Sequence, residues 1–356
     1  LSVVMPCLNE SETLAICIRK AKKCFKDNNI NGEVVIADNG STDGSQEIAI
    51  SEGAIVENIQ QKGYGNALMG GFLKAKGKYI IMGDSDDSYD FLDLQKYLDK
   101  LRDGYDLVMG NRFKGGIEKG AMPFLHKYLG NPVLSFIGRL FFNINIRDFH
   151  CGLRGFSKSA ITKMELRTTG MEFASEIVVK ASLMNMKITE VPTTLSVDGR
   201  SGEPHLNTWN DGWRHLRFLL MYSPKWLFFI PGISCFIIGL ILSIILINNP
   251  IIIFNKTIDI HSLLFTSSLI LIGYQFIAFY AFTKVFISSN NLIPKSEKID
   301  NYFKMFKLEK GLIIGLIVLL CGLILSVFSF LQWSNVSYGD LDPTKIFRLI
   351  IPAVVL

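Results

Sequence analysis

Up to about residue 225 the apolar positions fall into short runs of two alternating kinds. Ser2–Met5, Glu33–Ala37, Ala54–Glu57, Lys78–Met82 and Asp106–Met109 are rich in β-formers and read as strands. Between them the spacing turns helical. Leu14, Ile18, Ala21 and Phe25 recur every three or four residues and predict a helix over Asn9–Phe25, with Asn9 as N-cap and Glu12 as its capping-box partner. Gly44–Ser51, Gly65–Ala75 and Phe91–Leu101 supply further helices. Strands alternating with helices predict an α/β, parallel, doubly wound sheet, which binds ligands at the carboxyl ends of its strands.

The pattern changes near Trp226. Trp226–Ile247, Ser262–Thr283 and Gly311–Leu331 carry no charge. Each is long enough to cross ~30 Å of hydrocarbon at ~1.5 Å per residue. Ile346–Leu356 begins a fourth such run and is cut off. The expected division is residues 1–204 as a water-facing domain, 205–225 as an amphipathic interfacial helix, and 226–356 as a transmembrane domain of three to four helices. Lysine and arginine counts set the orientation. Residues 248–261 hold one (Lys256) and 332–345 hold one (Lys345). The loop 284–310 holds Lys284, Lys295, Lys298, Lys304, Lys307 and Lys310, and Arg214, Arg217 and Lys225 precede the first span. This bias predicts a multi-pass plasma-membrane protein with its N-terminal domain in the cytoplasm.

Composition agrees with a chain partly outside water. Charged residues are 19% and the mean hydropathy is +0.30, against ~25% charged in an ordinary soluble chain. The apolar content excludes disorder, and a net charge of +5 is too mild to indicate a nucleic-acid partner. The six cysteines (Cys7, Cys17, Cys24, Cys151, Cys235 and Cys321) form no zinc-spaced cluster and read as unpaired thiols. Leu1–Met5 reads as a strand rather than a secretory signal, and the chain looks clipped at both ends.

The candidate chemistry lies at the predicted strand ends, which carry Pro6, Asn9 and Glu10, then Asp38, then Asp84 and Asp86, then Asn111 and Arg112. Gly63-Tyr64-Gly65-Asn66-Ala67-Leu68 has the start of a dinucleotide fingerprint but follows the third strand and lacks the last glycine. Gly83-Asp84-Ser85-Asp86-Asp87 directly follows a strand, where residues two apart point the same way. Two carboxylates so placed suit a hard divalent cation, Mg2+ or Mn2+, which fills its remaining positions with water and phosphate oxygens. The bland alternative is a solvated acidic turn, weakened by Asp38 and Glu10 at the same strand-end face. Asp38-Asn39-Gly40-Ser41-Thr42-Asp43-Gly44 reads either as a turn with a helix cap or as a base and ribose pocket.

Pro6-Cys7-Leu8-Asn9-Glu10, Asp38 to Gly44 and Asp84-Ser85-Asp86, in this order, resemble glycosyltransferase family 2, whose fold is the Rossmann-like GT-A nucleotide-sugar domain. Gly110-Asn111-Arg112, Asp148 to Phe156 and the apolar tail extend the likeness to the polyprenyl-phosphate glycosyltransferases over about residues 1–225. The resemblance implies that Pro6, Asn9, Glu10 and Asp38 hold the nucleotide, Asp84 and Asp86 the metal and diphosphate, Arg112 the acceptor phosphate, and Arg200 the donor diphosphate. Asn39 departs from the two acids of many members, and no QxxRW occurs, which argues against a processive polymerase.

A lipid phosphate is already anionic, so such a transfer needs two anions positioned and a departing diphosphate neutralised, rather than a strong base. Arg112, Arg139, Arg147 and Arg154, with His126 and Lys127, are the candidates for the acceptor phosphate. Glu172 and Glu176 either bind sugar hydroxyls or act as a base, or else serve a helix terminus. Gly120–Arg147, without an acidic residue, and the tryptophan stripe of His205–Tyr222 predict docking on the bilayer. The expectation is transfer of one sugar, glucose from UDP-glucose, to undecaprenyl or dolichyl phosphate with inversion. Rivals are a GDP-mannose or UDP-N-acetylhexosamine donor, another membrane lipid as acceptor, and a transporter or scaffold with a vestigial soluble half. Pairing into a homo-oligomer is left open.

Overall fold

The computed structural model describes residues 1–201, 208–253, 256–289, 308–340 and 342–355. The chain forms two compact units, Leu1–Ser223 and Pro224–Leu356. The segment expected as a separate interfacial helix therefore falls chiefly in the first unit; its first residues, with His205 and Leu206, lie outside the described ones.

The first unit follows the predicted alternation through β1 (Ser2–Cys7), α1 (Leu14–Asp27), β2 (Glu33–Asp38), α2 (Ser45–Ser51), β3 (Ile55–Asn58), α3 (Tyr64–Lys74), β4 (Tyr79–Met82), α4 (Gln95–Arg102) and β5 (Leu107–Asn111). A single turn, α5 (Arg112–Gly115), leads into a long excursion that contains a π-helical turn (His126–Gly130) and α6 (Asn131–Phe142). Then come β6 (Arg154–Ser157), α7 (Lys158–Met164), α8 (Phe173–Leu183), β7 (Ile188–Pro192) and α9 (Thr208–Tyr222).

The sheet order is β3-β2-β1-β4-β6-β5-β7. Strands β3, β2, β1 and β4 are parallel, as are β5 and β7. The all-parallel expectation fails at β6, which enters antiparallel to both neighbours, with Ile81 and Val108 each opposite Gly155. The excursion after β5, which includes α6, brings the chain back to the gap between β4 and β5 in the reverse direction. The two-residue period of the strands sorts side chains to two cores. Val3, Met5, Val34 and Ile36 pack with Leu14, Ile18, Phe25 and Leu98 on one face. Val4, Val35, Ile80 and Met82 pack with Leu68, Phe72, Phe173 and Ile177 on the other.

The predicted capping box is also absent. Helix α1 starts at Leu14 with Thr13 as N-cap and no side-chain cap. Asn9 instead takes a left-handed φ of 58°, which asparagine tolerates well. Glu12 accepts from the Ser201 backbone N–H at 2.7 Å.

In the second unit, α10 (Ile230–Asn248), α11 (Ile260–Ser289), α12 (Leu308–Asn335) and α13 (Pro343–Val355) accompany a short hairpin, β8 (Ile251–Ile253) and β9 (Lys256–Ile258). Lys225–Asn248, Ile260–Ile287 and Glu309–Asn335 are long and apolar enough to cross a bilayer. Helices α10 and α11 meet through glycines: a Cβ on Gly239 would lie 2.7 Å from the Thr266 carbonyl and one on Gly273 2.5 Å from the Phe236 nitrogen. Small residues at that seam let the two backbones approach, the usual device where lipid surrounds a helix pair. Lys295, Lys298, Lys304 and Lys307, which weighed in the orientation argument, lie outside the described residues.

Candidate active site

The first two strand-end loops are stitched to each other. The Asn9 side-chain oxygen accepts from the Thr42 N–H and the Asn9 N–H donates to Ser41 Oγ, both at 2.9 Å. The Glu10 N–H donates to Ser45 Oγ at 3.0 Å, and the Ser11 N–H to Asp43 Oδ2 at 2.9 Å. Asp38 is 1% exposed. Its Oδ2 accepts from the Gly40 and Ser41 N–H groups and from Gln46 Nε2, at 3.0, 3.1 and 2.7 Å. Asn39 explains the departure from two acids. Its amide donates to the carbonyls of Ile59 and Gln61 and its oxygen accepts from the Gly63 N–H. A carboxylate there would face two carbonyls with no proton to give.

Asp84 and Asp86 follow β4 as predicted. The Ser85 between them turns the other way, its hydroxyl donating to the Pro6 carbonyl at 2.7 Å. The Tyr64 hydroxyl donates to Asp84 Oδ1 at 2.9 Å. Gly63 and Gly65 make that contact attainable: a Cβ on either would lie 2.3 or 2.2 Å from the carbonyls of Thr169 and Thr168. The fragment that resembled part of a dinucleotide fingerprint is thus a close-packing turn that delivers a tyrosine to a carboxylate. Gly152 does the same on the other side, where a Cβ would fall 2.3 Å from Asp84 Oδ2. Burial, with Asp86's like charge second, pushes the Asp84 carboxyl up to about 6.

Asp86 accepts from the Ser88 hydroxyl at 2.6 Å and faces Arg200 Nη2 at 3.5 Å. Arg200 also donates from Nη1 to Glu10 Oε1 at 2.9 Å and from Nε to both oxygens of Asp198 at 2.9 Å. Glu10 is 7% exposed, and its Oε2 is buried with no protein partner. Burial raises the Glu10 carboxyl to about 7, against the pull of Arg200 and with the push of Asp86 and Asp198. Two neighbouring carboxylates that repel, beside a third with an unmet oxygen, fit a hard divalent cation completed by substrate oxygens. Among the described residues no group of three His, Cys, Asp or Glu forms a metal cage of its own.

The acceptor candidates part company. Arg112 is 7% exposed and forms a two-pronged pair with the fully buried Asp148, Nε to Oδ2 at 2.8 Å and Nη2 to Oδ1 at 2.7 Å. Its charge acts on both Asp84 and His126. Arg154 is 0% exposed, and its three nitrogens donate to the carbonyls of Cys151, Ala174 and Phe149. That geometry makes it a tie between loops and corrects its expected place on the acceptor phosphate. Arg139 is half-buried on α6, Lys127 sits over the Tyr128 ring at 5.7 Å, and Arg147 is exposed, its N–H donating to Glu190.

The even choice over Glu172 and Glu176 now splits by residue. Glu176 is fully buried, pairs with Lys180 at 2.7 Å, and accepts from the N–H groups of Arg167 and Thr168. It fixes the segment that Gly63 and Gly65 pack against. Glu172, one turn earlier, keeps Oε2 buried and unpartnered.

Sequence reasoning missed Tyr64, Asp198 and a chain of His150, Ser175 and His215. Ser175 Oγ lies 3.3 Å from His150 Nε2 and 2.9 Å from His215 Nδ1. Burial holds His215 down to about 4, so it stays neutral. This chain anchors the buried side of α9, where Phe218 and Leu219 also pack, and leaves Trp209 and Trp213 77% and 60% exposed.

Residues 2–164 match the family described as glycosyl transferase family 2, and residues 281–356 match the glycosyltransferase family 2 C-terminal transmembrane region. The low-salt glycan biosynthesis hexosyltransferase Agl6 of Haloferax volcanii is 40% identical over 343 residues, covering 96% of this chain and 82% of that protein. The dolichyl-phosphate hexose transferase of the same organism is 29% identical over 213 residues, covering 60% of this chain and 89% of that one. A glucosyl-3-phosphoglycerate synthase from Mycobacterium tuberculosis, solved with Mn2+, UDP and phosphoglyceric acid, has the same fold, with a TM-score of 0.50 at 21% identity over 62% of this chain and 78% of that one.

Proposed function

Since the chain belongs to glycosyltransferase family 2 and carries a membrane region of that family, we propose that it moves a single hexose, glucose from UDP-glucose, onto a polyprenyl phosphate of the undecaprenyl or dolichyl type at the cytoplasmic face of the membrane. The observation that carries the reading is the convergence of Glu10, Asp84, Asp86 and Arg200 at the carboxyl ends of β1 and β4. The name of the dolichyl-phosphate relative supports the acceptor class. The lysine and arginine bias supports the orientation.

The reaction is one displacement. An acceptor phosphate oxygen bonds to the anomeric carbon as the bond from that carbon to the nucleoside diphosphate breaks, which inverts the configuration. No proton has to be removed from the nucleophile, so the site needs no strong base near it. Asp84 and Asp86 would hold a divalent cation that supplies Lewis-acid neutralisation of the departing diphosphate. Arg200, reached from Glu10 and Asp86, adds its own positive charge to that side. Pro6, Asn9, Glu10 and Asp38 line the nucleotide end. Arg112, with two nitrogens held by Asp148, keeps Nη1 to present to the acceptor phosphate, with His126 and Lys127 on the neighbouring turn. Exposed Phe124, Tyr128, Phe136, Trp209 and Trp213 would seat the domain on lipid.

The test is to incubate membranes containing the protein with labelled UDP-glucose, GDP-mannose or UDP-N-acetylglucosamine in turn. Label from UDP-glucose should enter an acid-labile lipid, and Asp86→Asn should abolish it. Label entering from a different donor would change the sugar. Entry from none, with intact protein, would remove the reading.

A further inference from the structure

Arg200 sits where its charge does something a diphosphate-binding arginine alone does not require. Its guanidinium touches three carboxylates at once: Glu10 at 2.9 Å, Asp86 at 3.5 Å, and Asp198 through Nε and Nη2. Its side chain is 15% exposed, and those of Glu10 and Asp86 are 8% and 17% exposed. Glu10 and Asp86 are largely dry and Asp198, 31% exposed, is less so; three acids this close repel one another, and an unbalanced cluster would be costly. Asp86 is one of the two carboxylates assigned to the cation. A guanidinium and a divalent ion directed at the same carboxylate compete for it.

We propose that Arg200 is a stand-in cation: it neutralises Glu10, Asp86 and Asp198 before the donor arrives, and changes partners from Asp86 to the donor diphosphate when the cation and nucleotide enter. The proposal rests on the donor reading above and adds an order to it. Free divalent cation meets an acid already paired with Arg200 and binds weakly. A nucleoside diphosphate offers Arg200 a better, doubly charged partner, which frees Asp86 for the cation. Cation and nucleotide therefore bind with strong mutual assistance, and each raises the affinity of the other by the same factor.

The prediction has opposite signs for the two ligands, which separates it from a plain binding role. Mn2+ binding to the full-length protein in detergent is measured by the electron paramagnetic resonance signal of free Mn2+, with and without UDP. Arg200→Ala should bind Mn2+ alone about tenfold more tightly than wild type, because a competing charge is gone, yet bind UDP at saturating Mn2+ about tenfold more weakly. Arg200→Lys, which keeps the charge, should stay near wild type for Mn2+ alone. Arg200→Gln, which keeps a hydrogen-bonding amide against Asp198, should follow Arg200→Ala in sign and serves where the alanine variant does not fold. Mn2+ affinity unchanged or weakened in folded neutral variants overturns the stand-in role. Wild type that binds no UDP even with Mn2+ overturns the donor reading instead.

Discussion

Replacing Asp148 by alanine should unfold the catalytic unit more readily than any surface change nearby. Asp148 is fully buried and its carboxylate takes Nε and Nη2 of Arg112 at 2.8 and 2.7 Å and the Arg112 backbone N–H at 3.0 Å. Asp148→Ala strands a guanidinium that is itself 7% exposed, a loss of about 3–5 kcal/mol. Arg112→Met strands the carboxylate instead, at a cost of about the same size. The double variant Arg112→Met with Asp148→Ala leaves neither charge, and chiefly the backbone N–H of residue 112 loses its acceptor, for about 1–3 kcal/mol. For a unit of this length 1 kcal/mol moves the melting temperature by about 2–4 °C, so each single variant should melt ~6–20 °C lower and the double ~2–12 °C lower, less than the sum of the two singles. The assay is thermal unfolding of the four proteins in detergent, paired with Mn2+-dependent UDP binding and transfer to a polyprenyl phosphate. The double variant should bind UDP and fail to transfer, because the acceptor has lost Arg112. Additive losses in the double variant would refute the ion pair as the reason for the burial of Arg112. Transfer by the double variant at the wild-type rate would refute Arg112 as an acceptor contact.

Two further outcomes follow from burial and exposure. Glu10 is raised to about 7 by burial, so the folded state holds its proton more tightly than the unfolded chain, whose carboxyl titrates near ~4.3; its stabilising contribution is complete at low pH and is lost as pH rises through about 7. Wild type minus Glu10→Gln, melted from pH 4 to 8, should show that decline, and a difference that grows with pH would reverse the sign. Trp209 and Trp213 are 77% and 60% exposed on α9; changing both to Ser should leave melting within a degree or two and reduce transfer to a long-chain polyprenyl phosphate more than to a short soluble analogue. Equal loss on both acceptors would count against docking through these rings.

The first five strands and the acids at their ends were legible because both signals are local. A run of β-formers and an i, i+2 pair of aspartates need no distant partner to be recognised. What escaped depends on contacts far along the chain. β6 is Arg154-Gly155-Phe156-Ser157, with no strand signal of its own. It becomes a strand through its pairing with β4 and β5, far away in the chain on the β4 side. The capping box at Asn9 and Glu12 matched a local rule and lost to longer-range demands: Asn9 bonds Thr42, and Glu12 bonds Ser201. Charge alone also could not rank the arginines. Arg112, Arg154 and Arg200 are the same side chain read from sequence. Burial against Asp148, burial among carbonyls and exposure to an acid cluster give them three different roles. Asp198 shows the limit most plainly. It follows β7 as an ordinary loop residue, and gains meaning only when Arg200, two positions on, is folded back onto Glu10 and Asp86 from the opposite end of the unit. On the proposed reading, the residues that would hold the donor are therefore written into short motifs. The contacts of Arg200 with Glu10, Asp86 and Asp198 are set by the return of the chain, which no window of a few residues contains.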